Sequence, residues 1–69
     1  MTAVATVTIE EATSALRRQL LPLPGVVAVS HVGNTIVVYV EGPEDATKVP
    51  GSYMGFPVVV KVVGRATAL

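Results

Sequence analysis

The stretch Gly25–Glu41, GVVAVSHVGNTIVVYVE, constrains the fold more than any other part of the chain. Two β-branched runs flank Gly33-Asn34. A two-residue loop with Gly first suits a type II′ turn, because Gly tolerates the positive φ and the turn's twist matches the strands. That turn sets a register. Val32 falls opposite Thr35, His31 opposite Ile36, Ser30 opposite Val37, Val29 opposite Val38, Ala28 opposite Tyr39 and Val27 opposite Val40. Side chains alternate along each strand. One face therefore carries Val27, Val29, His31, Ile36, Val38 and Val40 and reads as core. The other carries Val26, Ala28, Ser30, Val32, Thr35, Val37, Tyr39 and Glu41, and it is mixed yet still rich in apolar groups.

Ahead of the hairpin, Thr8-Ile9-Glu10-Glu11 fits a capping box, with the Thr8 hydroxyl on the Glu11 amide and the Glu11 side chain reaching back. The two acids also suit the positive end of a helix dipole. Ile9, Ala12, Leu16 and Leu20 recur at helical spacing, while Glu10, Thr13, Ser14, Arg17 and Arg18 lie off that stripe. The spacing predicts a helix over 9–21, stopped by Pro22 because the residue before a proline is driven out of helical φ/ψ. Met1 to Val7 reads either as a tail or as a short edge strand over 3–7.

Beyond the hairpin, Gly42-Pro43-Glu44-Asp45 is a turn. Glu44 to Val49 is long enough for one or two helical turns, which need packing to persist. Pro57 opens a last strand over 57–63, with Val58, Val60 and Val62 on one face and Val59, Lys61 and Val63 on the other. Arg65 to Leu69 reads as a loose tail or a brief edge extension. The expectation is one small α+β domain over 1–69: a two-layer sandwich of one main helix on a three- or four-stranded, largely antiparallel sheet, with strands about 25–32, 35–41, 57–63 and, in the fuller version, 3–7. If 3–7 and 44–49 both form, the order βαββαβ is the ferredoxin-like pattern; without the first strand it is α-β-β-β.

Composition narrows the function classes. A chain of 69 residues is near the size at which a single core is only just sufficient. It has no cysteine, so disulfides and thiolate metal sites are excluded. Five basic and five acidic residues leave no net charge, against a broad positive field for nucleic acid or anionic membrane. Charged residues are 14%, below the roughly 25% of an average domain, and the mean hydropathy is +0.62. A valine-rich chain this small carries more apolar surface than one helix can shelter. The expected remedy is another protein or a second copy of itself. No apolar run is long enough to span a bilayer as a helix, and MTAVATVTIEE lacks the features of a secretory signal, so the expected compartment is the cytoplasm.

No motif specifies catalysis. None of Ser14, Ser30 and Ser52 sits in a nucleophile elbow. His31, the one histidine, lies on the core-side register beside Ile36 without a sequence-local acid or metal partner, and reads as structural. Glu41, Glu44 and Asp45 surround a Gly-Pro turn without calcium-loop spacing and read as a solvated turn. Arg17-Arg18 reads as a wet helix face. No catalytic, cofactor or metal residue is expected.

Two resemblances follow from strand phrases. Leu23-Pro24-Gly25-Val26 ahead of Val27 to Ser30 is similar to the strand after the first helix of heavy-metal-associated domains. That family's ligands are a Cys-x-x-Cys pair, and no cysteine precedes Thr8, so the resemblance implies a fold and no metal. The chain more closely resembles a small α+β accessory region found with prokaryotic trypsin-like serine-protease sequences. The matching positions are Leu23 to Val29, Ile36 to Val40, Val49-Pro50, Gly55-Phe56-Pro57-Val58-Val59-Val60 and Gly64. The protease catalytic portion is absent, so that resemblance implies an accessory domain and transfers no catalytic residue.

The functional expectation is a non-enzymatic protein-interaction or self-association module using the open sheet face. Its interface residues are Val26, Ala28, Val37, Tyr39, Val59, Lys61 and Val63, with Val32 and Thr35 nearby. Contiguous apolar patches of this kind mark interaction sites, and Tyr39 is the natural anchor. One competing arrangement has the chain ends or the Tyr53-Met54-Phe56 loop folded over that face. The rival function is a small-ligand or metal-ion binder using His31, Tyr39 or the Glu41–Asp45 turn.

Overall fold

The computed structural model of the protein describes residues 7–64. Along these run helix α1 (Ile9–Leu20), strands β1 (Val26–Val32) and β2 (Thr35–Val40), a 3-10 segment (Pro43–Lys48), β3 (Ser52–Tyr53) and β4 (Phe56–Val62). One main helix lies on a four-stranded sheet of order β1-β2-β4-β3. This is the expected α+β architecture. The β1/β2 and β3/β4 ladders are antiparallel, but the central β2/β4 ladder is parallel, so the sheet is mixed. Residues 41–55 carry the chain back to the starting end of β2 before β4 begins, as a parallel neighbour requires. The ferredoxin-like arrangement is not confirmed. A split βαβ unit places a strand between parallel partners, whereas β2 and β4 pair directly. The expected strand over 3–7 lies outside the described residues except for Val7, which belongs to no strand and packs against the core. The expected tail at 65–69 also lies outside them.

Thr8 caps α1 from extended backbone (φ −80°, ψ 160°): the Glu11 amide donates to its hydroxyl oxygen at 3.2 Å. The return leg of the capping box is altered, because the Thr8 hydroxyl itself lies 3.3 Å from a Glu11 carboxylate oxygen. Ala12, Leu16 and Leu20 are buried and Ile9 packs beside them, as the spacing requires. Thr13, expected off the stripe, is also buried; its hydroxyl donates to the Ile9 carbonyl at 2.7 Å, which satisfies the polar group locally. The helix ends at Leu20 for a different reason from the expected one. Leu21 stays helical (φ −57°, ψ −35°) and its amide bonds the Arg17 carbonyl at 2.9 Å. Pro22 then offers no N–H to continue the ladder, and Leu23 bonds back to Leu20 at 2.9 Å instead.

The hairpin register is the expected one from Val32↔Thr35 to Ala28↔Tyr39. Gly33 has φ +59° and Asn34 has no positive φ, as a type II′ turn demands. At the far end a bulge intervenes, and Val26, not Val27, pairs with Val40. Val26 thereby joins the helix-side face and packs against the core, while Val27 is half exposed. Both assignments are corrected by that one extra residue. The bulge follows Gly25, which has φ +90° and sits so close to the Asp45 carboxylate that a Cβ there would collide with it. The Asp45 carboxylate accepts from the Gly42 amide at 3.2 Å and from Lys48 Nζ at 3.2 Å, and Lys48 Nζ also reaches the Pro24 carbonyl at 2.9 Å. These bonds pin the 3-10 segment to the start of β1.

The core sits between α1 and the sheet, where Ala12, Leu16 and Leu20 meet Val29, Ile36, Val38 and Val40. Fully burying each large aliphatic side chain is worth roughly 1.5–3 kcal/mol. Met54 and Gly55 both have positive φ and form the tight turn between β3 and β4. That turn brings Tyr53 and Phe56 against the core, and Gln19 donates to the Tyr53 hydroxyl at 2.8 Å.

Candidate interaction surface

The sheet register assembles the side of β1, β2 and β4 opposite α1. Ala28, Tyr39 and Lys61 form one row, and Ser30, Val37 and Val59 the next. Val32 and Thr35 close the patch at the hairpin tip. Val63 continues beyond β4, its amide bonded to the Val40 carbonyl at 2.9 Å. Six of the seven expected interface residues thus share one region, and Val26 is the exception because the bulge returns it to the core.

Exposure divides the patch into floor and contacts. Val37 is only 5% exposed, with Ser30 and Val59 as its cross-strand neighbours on a side of the sheet that carries no described helix. Ala28, Thr35 and Tyr39 are half-buried around it. Val32 at 70%, Val63 at 54% and Val59 at 44% stand clear of it. Lys61 is the one charged residue in these rows and is exposed. The Tyr53-Met54-Phe56 loop does not roof this face, because Tyr53 and Phe56 turn to the helix side. Val27 is a further exposed valine that the alternation rule had hidden, and only the three-dimensional bulge reveals it.

The residues of the rival reading are dispersed. His31 projects to the helix side with Ile36, whereas Tyr39 projects to the opposite side with Ala28, so the two cannot meet on one ligand. The His31 Nδ1 is buried and has no hydrogen-bond partner among the described residues. Asp45 spends its carboxylate on the Gly42 amide and Lys48. Among the described residues no three His, Asp or Glu side chains converge, and no pocket opens. Among the same residues no helix is long and apolar enough to cross a membrane. Comparison with known proteins found no matching family model, no matching curated protein and no matching solved structure.

Proposed function

We infer that the protein is a small non-enzymatic module that self-associates through the outer face of its sheet. The observation carrying this reading is the exposure of Val32, Val59 and Val63 around a Val37 floor, on the side away from α1. Single exposed valines need no explanation, but several gathered on one side of a sheet are a candidate interaction site. A second copy is the occupant best matched to the surface. The chain has no net charge and Lys61 is the single charge in the paired rows, so the face offers a second copy a mainly apolar surface with little charge to desolvate. Two such faces can stack as packed sheets do, with Tyr39 as the aromatic anchor.

Sedimentation velocity across concentration tests this reading on the wild type and on Val59→Lys. The wild type is expected to shift from monomer toward dimer as concentration rises, and Val59→Lys to remain monomeric with its thermal midpoint little changed. A wild type that stays monomeric throughout, without taking up a different protein through this face, would end the proposal.

A further inference from the structure

We propose that Arg17 guards the outer edge of β1, keeping that strand from pairing with β1 of a second copy. An unpaired strand edge is a template for another chain, and native proteins blunt it with charge, bulges or covering groups. β1 is such an edge: among the described residues it pairs only with β2. Its sequence, VVAVSHV, is seven residues long and has no Lys, Arg, Asp or Glu to discourage pairing.

The hairpin determines which backbone groups face outward. In a two-residue hairpin the pair beside the loop exchanges both hydrogen bonds and the pattern then alternates. Val32, Ser30 and Ala28 are therefore turned toward β2, and His31 and Val29 turn their amides and carbonyls away from it. Arg17 Nη2 donates to the Val29 carbonyl at 3.1 Å, which confirms that direction. The guanidinium comes from α1, held in place by the neighbouring Leu16 and by Leu20 in the core.

Val29 is the middle residue of β1, so a symmetric antiparallel pairing of two copies about it would need each Val29 carbonyl to accept from the other's Val29 amide. Arg17 occupies that acceptor in both copies and would bring two cations to the seam. The Val27 bulge disturbs the strand on one side of this point. At the other side of the sheet, β3 pairs with Phe56 and Pro57 and the Gly51 carbonyl accepts from the Val58 amide at 3.0 Å, so only the start of β4 is covered there by the described residues. This guard is independent of the outer sheet face.

The test uses Val59→Lys as the parent, so that association through the face is suppressed. Arg17→Met keeps a long stem without donor or charge, Arg17→Gln shortens and neutralises it, and Arg17→Lys keeps a cationic donor. Arg17→Met and Arg17→Gln are expected to associate at least about tenfold more tightly than the parent in sedimentation, a change of about 1.4 kcal/mol. In both, the Val29 and His31 amides should exchange more slowly with deuterium as concentration rises, while Arg17→Lys behaves as the parent. Failure of one neutral variant to fold leaves the other to decide. Sedimentation and amide exchange identical to the parent in whichever neutral variants fold would overturn the proposal. Should the parent itself still associate, the face reading fails, and Arg17 is judged by the difference between neutral and cationic variants.

Discussion

Gly25 combines two constraints that no other glycine among the described residues meets together. Its φ of +90° disfavours every L side chain, and the Asp45 carboxylate fills the space where a Cβ would stand. Gly25→Ala is therefore expected to destabilise the protein by about 1–3 kcal/mol, read from urea unfolding, with the backbone conformation supplying most of the loss. Gly33 has positive φ but open space around it, so Gly33→Ala should cost less than Gly25→Ala. Leu16, fully buried under the helix, should lose about 2–5 kcal/mol as Leu16→Ala in the same measurement. The residue scale was only partly legible in the sequence. Gly25 reads as a turn glycine from its Leu-Pro-Gly context, but its contact with Asp45, twenty positions on, exists only once the 3-10 segment docks. Thr13 was misread for a related reason: a hydroxyl that bonds its own helix can be buried as an apolar residue is.

Elements whose cause is local were readable, and those set by long-range packing were not. The helix stripe and the hairpin register up to Ala28↔Tyr39 follow from period and turn chemistry. The Val27 bulge does not, because an extra residue leaves the apolar alternation of VVAV unchanged in appearance. β3 is two residues long, too short to show a pattern, and is held by its turn and by packing of Tyr53. The parallel pairing of β2 and β4 depends on the path of 41–55 across the sheet, which no strand phrase encodes. At this scale the cap on α1 gives a clean test. Thr8→Ala should destabilise the protein by about 0.5–2 kcal/mol in thermal or urea unfolding, whereas Thr8→Asp should retain most of the stability by offering the Glu11 amide another oxygen.

For the whole molecule, one helix and one sheet leave a second sheet side that the described elements do not cover. The sequence announced this surplus through its valines, and the structure assigns Val26 and Val27 to places the alternation rule did not. The apolar content divides between a core under α1 and an exposed set around Val37. In the proposed scheme, the β1 edge and the open face have opposite roles: Arg17, bonded to the Val29 carbonyl, discourages edge pairing, and the face supports association. The most direct test follows backbone and side-chain NMR shifts of the wild type from micromolar to millimolar concentration. The account predicts concentration-dependent shifts or broadening concentrated at Ala28, Ser30, Tyr39, Val59 and Lys61, with Ala12 and Leu16 unmoved. Shifts confined to the α1 side, or a spectrum unchanged across the whole range, would contradict it.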